Sequence, residues 1–205
     1  ALFVSSGYLN VMGDGVVTGY ATKTGNGAAL FTNNKKLTNG ASLYSGTYLK
    51  GNSPSGAAVI GLQTNGGTIR IYEDAVVDAR GNGTAISTGP ATGRLVDVLL
   101  DNTTVYGNVE IPVGANSVTF NTVNTTITGT VTVSGAPKLS FSGRTKIGKL
   151  DLDAGVIADF DNMLEGSSVK VSADGAFSSA MADADEWIDY FTTSDTGDWV
   201  IVRDK

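Results

Sequence analysis

The residue types that most often carry catalysis are missing from this chain, so its acidic and basic side chains must supply whatever chemistry it has. The 205 residues include no His and no Cys. An imidazole base, a thiolate nucleophile and a Cys or His zinc site are therefore excluded. Glycoside hydrolysis needs two carboxyl groups facing one another, and the candidate pairs are Asp97 with Asp101 and Asp74 with Asp78. We favour the interpretation that these are solvated acids in turns and on outer faces.

Four tyrosines are the candidate ligand-binding residues. They are Tyr44, Tyr48, Tyr72 and Tyr106. Aromatic faces exposed on a rigid scaffold stack well on sugar rings, so these residues predict a surface glycan as ligand, with another surface protein as the alternative partner. The competing interpretation is that the rings pack under loops or in the interior.

The charge balance and the remaining motifs indicate no cofactor, metal or nucleic-acid site. The 20 acidic residues outnumber the 14 basic ones, and the net charge of −6 argues against a surface that binds nucleic acid phosphates. Gly143, Gly148 and Lys149 match the spacing of a phosphate-binding loop, but Leu150 occupies the position of the magnesium-binding Ser or Thr. No segment approaches the roughly 20 apolar residues of a membrane span.

The elements that must position these residues are short β-strands that recur with a period near 20 residues. Four apolar-polar-apolar triplets align, and each precedes a glycine: Val109–Ile111, Val131–Val133, Leu150–Leu152 and Val169–Val171, followed by Gly114, Gly135, Gly155 and Gly175. Phe residues recur at nearly the same period, at positions 120, 141, 160 and 177. Three short strands per repeat and no helical segment predict an all-β solenoid whose rungs stack at the strand spacing of about 4.8 Å. A β-sandwich with evenly spaced hairpins is the alternative fold.

The alignment of the repeats also predicts which side chains face inward. One inward row is expected to contain Ile111, Val133, Leu152 and Val171, and a second row to contain Phe120, Phe141 and Phe160. The outward row between them would contain Glu110, Thr132, Asp151 and Lys170. Asp151 and Lys170 are then expected to be neighbours of opposite charge on an exposed face.

The rungs resemble a known group of proteins. Residues Val109–Gly129, Thr130–Gly148 and Lys149–Gly166, with the looser Ala41–Gly61 and Gly67–Thr88, are similar to the right-handed parallel β-helix of the pectate-lyase-like superfamily. In particular they resemble the Gly/Thr/Asn-rich passenger domains of bacterial autotransporters and related surface adhesins. The resemblance covers roughly residues 37–180. It implies a right-handed β-helix that serves as a structural or adhesive module of a secreted or cell-surface bacterial protein.

The same superfamily contains polysaccharide lyases and glycoside hydrolases, which form the alternative function. Polygalacturonase-like members carry a Gly-His-Gly element and an Asp-Asp pair, whereas this chain has no His and no two consecutive Asp residues. Lyases of the group can use Arg or Lys as the base, and Arg70, Arg80 and Arg94 lie near the acid pairs in sequence. The sequence leans towards a protein that is not an enzyme.

The chain is expected to contain a solenoid and a terminal cap. The solenoid would span residues 1–182, with its clearest rungs at 109–180. Residues 183–205 carry seven acids against two bases and include both tryptophans, Trp187 and Trp199. Because an open solenoid end exposes its interior and its strand edges, we expect this segment to cap the end, with a final strand at residues 198–203.

Overall fold

The computed structural model describes the backbone over 21 β-strands and the turns that join some of them. The described residues are 2–4, 8–11, 16–20, 30–32, 40–43, 48–52, 60–62, 67–79, 83–87, 95–111, 117–133, 138–152, 157–160, 162–173, 191–193 and 199–203. Side chains are described within 69–170. All regular structure in these residues is β-strand, and no helix long and apolar enough to cross a bilayer occurs among them.

The strands are short, as the closely spaced turn residues predict. In chain order they are β1 (Leu2–Val4), β2 (Tyr8–Val11), β3 (Val16–Tyr20), β4 (Leu30–Thr32), β5 (Gly40–Leu43), β6 (Tyr48–Asn52), β7 (Ile60–Leu62), β8 (Gly67–Ile71), β9 (Val76–Asp78), β10 (Thr84–Ser87), β11 (Leu95–Asp101), β12 (Thr104–Tyr106), β13 (Asn108–Ile111), β14 (Ser117–Val123), β15 (Thr126–Val133), β16 (Lys138–Ser142), β17 (Lys146–Leu152), β18 (Ile157–Asp159), β19 (Ser167–Ala173), β20 (Phe191–Thr193) and β21 (Trp199–Arg203).

The strands form two sheets in which pairing is almost entirely parallel. The seven-stranded sheet has the order β18-β16-β14-β11-β8-β5-β2. The fourteen-stranded sheet contains two series of strands, β1-β4-β7-β10-β13 and β3-β6-β9-β12. Both series end beside the long strand β15. On its other side β15 pairs with β17, and β17 pairs with β19. Among the described strands, the antiparallel pairs are those of β21 with β19 and with β20. The predicted all-β class with parallel strands is confirmed for the described residues.

Alternation along the strands places the apolar side chains inside. In the seven-stranded sheet one buried row runs in register through Ile69, Val98, Phe120, Leu139 and Ala158. Each of these side chains is at most 3% exposed. The core therefore lies behind this sheet, and the polar residues between these positions face outward.

The three predicted phenylalanines are buried and in contact, but they do not form one in-register row. Phe141 stacks on Phe160, with ring centroids 5.0 Å apart, and meets Phe120 edge-on at 6.4 Å. Phe120 pairs in register with Leu139, whereas Phe141 pairs with Thr122. The predicted row was wrong in register by two residues, because β14 and β16 pair at a shorter separation than the one between these phenylalanines.

The other predicted row is correct in backbone register for three of its four members. Ile111 pairs with Val133, and Val133 with Leu152. Val171 pairs with Leu150 instead, because β19 has one residue fewer than β17 between two paired positions. The same shift places Ser172 beside Asp151, so the predicted Asp151–Lys170 neighbour pair is wrong.

The corner after the seven-stranded sheet repeats one backbone device. Left-handed φ values occur at Asp74 (62°), Asn102 (50°), Asn124 (47°) and Gly143 (62°), residue types that tolerate this conformation. The amide of Asn102 donates to Val123 O at 2.8 Å, and that of Asn124 donates to Ser142 O at 3.2 Å. Each of these turns is thus hydrogen-bonded to the turn of the next repeat.

A column of buried hydroxyl groups lies next to these turns. Its members are Thr103, Thr125, Thr145 and Ser167, each at most 3% exposed. Thr125 Oγ1 donates to Leu100 O and Val123 O, both at 2.9 Å. Ser167 Oγ donates to Gly143 O at 2.8 Å. Because buried carbonyls need partners, this column stabilises the corner at each repeat.

The C-terminal strand is present where the sequence predicts it. β21 covers Trp199–Arg203 and lies along the edge of β19. The role of residues 183–205 as a cap remains a prediction, since apart from β20 and β21 the segment lies outside the described residues.

Candidate functional site: a polar groove on the seven-stranded sheet

The outer face of the seven-stranded sheet carries a shallow groove, here called the outer groove. Its volume is about 460 Å³. The lining residues come from β14, β16 and β18: Thr119, Asn121, Lys138, Leu139, Ser140 and Asp159. Phe120, Leu139 and Ala158 are buried at the intervening positions and hold these strands against the core. The polar residues between them therefore lie on a firmly packed wall.

The strand register arranges these polar groups in two columns. Thr119 lies beside Lys138 in one column, and Asn121, Ser140 and Asp159 follow one another in the second. Neighbouring strands are about 4.8 Å apart, and positions two residues apart along a strand are separated by about 7 Å. The outer groove is thus a small grid of hydroxyl, amide, ammonium and carboxylate groups, which suits hydrogen bonding to a ligand rich in hydroxyl groups.

One edge of the groove is fixed by an ion pair. Arg70 Nη2 pairs with Asp97 Oδ2, and Thr119 Oγ1 donates to Asp97 Oδ1 at 2.9 Å. The Arg70 and Asp97 side chains are 35% and 22% exposed. Both oxygens of the Asp97 carboxylate are engaged, which orients Thr119 at the groove edge. The sequence singled out both residues but did not pair them, because they lie 27 positions apart on different strands.

The acid pairs considered for hydrolysis are not arranged as facing carboxyl groups. Asp97 and Asp101 lie on the same strand, about 13 Å apart along it at four strand residues, beyond the separation of hydrolase carboxyl pairs. Asp74 lies in a turn and accepts a hydrogen bond from Asn102 Nδ2 at 2.8 Å, while Asp78 lies in β9. Arg80 and Arg94 fall outside the described residues. Within the described part of the chain, no three acidic side chains form a metal-binding group.

Three of the four candidate tyrosines lie on or directly after strands of the described structure. Tyr106 ends β12 and is 45% exposed. Tyr72 is half-buried and follows β8. Tyr106 pairs in register with Asp78 of β9, and the turn at residues 73 and 74 lies between Tyr72 and β9. Tyr48 pairs through its backbone with Val76, and Tyr44 lies outside the described residues. A glycan-stacking role for these tyrosines remains a prediction.

Sequence reasoning missed all six residues of the outer groove. The signal was present in the triplets Thr119-Phe120-Asn121 and Lys138-Leu139-Ser140, each polar-apolar-polar. Aligning phenylalanine with phenylalanine concealed it, because that alignment shifts the outward residues of β16 by two positions. Alignment of the buried positions Phe120 and Leu139 recovers both columns.

Comparison with protein-family models, with curated proteins and with solved structures gives no match for this chain. The resemblance to the pectate-lyase-like superfamily therefore stays a prediction that rests on the repeat residues. The outer groove is described by its own geometry alone.

Proposed function

We propose that this chain is a right-handed parallel β-helix that acts as a structural or adhesive module of a secreted or cell-surface bacterial protein. Support for the coil comes from the strand order, since each strand from β2 to β11 in the seven-stranded sheet pairs with the strand three elements further along the chain. Parallel pairing favours the coil over the β-sandwich, whose sheets are antiparallel. The right hand follows the general preference of parallel crossovers.

The repeated corner supports the same proposal. Successive coils of a β-helix bring equivalent turns into contact, and the left-handed turns at Asn102, Asn124 and Gly143 are hydrogen-bonded in that way. The buried hydroxyl column repeats at the same corner. The membership of the pectate-lyase-like superfamily is part of this proposal.

The adhesive function rests on the outer groove. A packed sheet face that offers Asn121, Ser140 and Thr119 side by side matches the closely spaced hydroxyl groups of a saccharide. Asp97, the acid next to this set, is neutralised by Arg70, so it adds no strong charge to the groove edge. We propose a surface glycan as the ligand and place its hydroxyl groups against these side chains.

Binding of the purified chain to a glycan array tests the proposal. Asn121→Ala and Ser140→Ala are each expected to lower the affinity for the bound glycan roughly 3- to 10-fold, because each removes one net hydrogen bond of about 1 kcal/mol. Both residues face outward, so their melting temperatures should stay near that of the parent chain. Thr132→Ala, an outward change on the other sheet, is the matched control and should not alter affinity.

The remaining outcomes separate this proposal from its alternatives. Loss of binding in Tyr106→Ala with no effect of the groove variants would move the site to the tyrosines. Absence of binding to every glycan would contradict the adhesive function. Release of reducing ends or of unsaturated sugars from polysaccharide would identify an enzyme instead.

A further inference from the structure

The basic residues of the chain are concentrated in one stretch. Residues 111–150 contain four basic and no acidic residues, which leaves the other ten bases with all 20 acids. The four are Lys138, Arg144, Lys146 and Lys149. A chain with a net charge of −6 therefore has a local region of opposite sign.

These four cations are accessible and are not neutralised within the described residues. Lys138, Arg144 and Lys146 are exposed, and Lys149 is half-buried. None of them forms a salt bridge with a described carboxylate, in contrast to Arg70. Their charges are thus available to a ligand.

Two of the cations share one corner, here called the cationic corner, which consists of Arg144 and Lys146. They flank Thr145, whose buried hydroxyl donates to Ser142 O at 2.8 Å and fixes the turn. The Arg144 amide also donates to Asn124 Oδ1 at 2.9 Å. One residue separates them, so the two Cα atoms are at most about 7 Å apart.

The surroundings of the cationic corner are mostly neutral and hydrogen-bonding. Lys146 lies in register between Thr126 and Ser168, both half-buried. Among the described residues 162–166 of the adjoining turn, the acid is Glu165, which is exposed. It follows Leu164, whose amide donates to Gly143 O at 2.9 Å. Glu165 makes no salt bridge with Arg144. Hydroxyl groups therefore lie beside two unneutralised cations.

We infer that the cationic corner is a second binding site, separate from the outer groove, and that its ligand is a sulfated saccharide. A sulfate ester presents three terminal oxygens, so it can accept hydrogen bonds from the guanidinium of Arg144 and from the ammonium of Lys146 together. Thr126 and Ser168 are placed to contact the hydroxyl groups of the same sugar. The cationic corner lies between β16 and β17 and at the start of β17, whereas the outer groove lies on β14, β16 and β18. Each site can therefore be removed by substitutions that leave the other site intact.

Titration with dextran sulfate tests this site in the full-length chain. The double variant Arg144→Ser/Lys146→Ser is expected to lower affinity roughly 25-fold, at about 5-fold for each cation near an anionic surface. The slope of log affinity against log salt should fall by about two, one for each contact removed. The single variants Lys146→Ser and Lys149→Ser each remove one charge from β17. Lys146→Ser should lower affinity about 5-fold, and Lys149→Ser, the matched control, by less than about 3-fold.

Several results would overturn the inference. Equal losses of affinity in Lys146→Ser and Lys149→Ser, with melting temperatures unchanged, would show that only net charge matters. Equal affinity for polygalacturonate of matched charge would exclude selectivity for sulfate, and equal affinity for duplex DNA would exclude a saccharide. No binding of dextran sulfate at about 50 mM salt would remove the site. Unchanged dextran sulfate binding in Asn121→Ala supports two separate sites. Loss of dextran sulfate binding in this variant would show that the outer groove and the cationic corner form one site.

Discussion

Truncation of Phe141 to Ala gives the sharpest test of the packed interior. The ring is fully buried between Phe120 and Phe160, with centroids 6.4 and 5.0 Å away. Removal of a buried Phe side chain costs about 3–5 kcal/mol, because the transfer free energy is lost and a cavity remains. The stacked contact with Phe160 adds roughly 0.5–1.5 kcal/mol to such a pair. Since a sheet wall paired on both sides collapses little, we expect a loss of about 4 kcal/mol.

Urea unfolding followed by circular dichroism measures this loss as a change in midpoint at constant slope. Phe141→Leu is the matched control and should cost much less, about 1.5 kcal/mol, because it keeps most of the volume. Ser140→Ala, on the outward face of the same strand, should change the free energy of unfolding by no more than about 0.5 kcal/mol. A loss below about 1.5 kcal/mol for Phe141→Ala would refute the reasoning, since the ring would then not be part of a packed stack.

Three further predictions address the corner and the C-terminal segment. Thr125→Val should cost about 1–3 kcal/mol in urea unfolding, because it leaves the carbonyls of Leu100 and Val123 without their hydroxyl donor. Thr132→Val, an outward change in β15, should be nearly neutral, and equal effects would refute a role for the buried column. Gly143→Ala should lower the melting temperature more than Gly166→Ala, since both have positive φ but only at Gly143 would the new Cβ meet the Asn124 side chain. Deletion of residues 183–205 removes β21 from the edge of β19 and should cause aggregation in sedimentation experiments; a monomeric product with an unchanged melting temperature would contradict the cap.

The sequence predicts the all-β class and the parallel rows well because apolar alternation and glycine spacing are local signals. The triplets at Val109, Val131 and Leu150 align in the structure as they do in the sequence. The failure begins at β19, where one residue fewer changes the pairing. A single-residue shift leaves the apolar pattern readable, and so the sequence alone does not reveal it.

The candidate site was harder to predict for the same reason. A groove formed by three strands exists only when the register of all three is known, and the phenylalanine alignment gave the wrong register for β16. The buried hydroxyl column was also missed, because Thr103, Thr125 and Thr145 look like ordinary polar turn residues until burial is known. Arg70 and Asp97 were noticed individually, but their ion pair joins positions on different strands.

The parallel order of the strands has a consequence for how damage spreads through the molecule. A middle strand such as β11 pairs only with β8 and β14. The stability of each strand therefore depends mainly on its two neighbours in the sheet. If the strands form the coil proposed above, its stability should be close to a sum of terms for single coils and for the interfaces between them. A cavity introduced in β16 should therefore speed amide hydrogen exchange in the groove strands, while exchange in β5 stays at its original rate. Unfolding would then proceed from one end of the sheet, strand by strand.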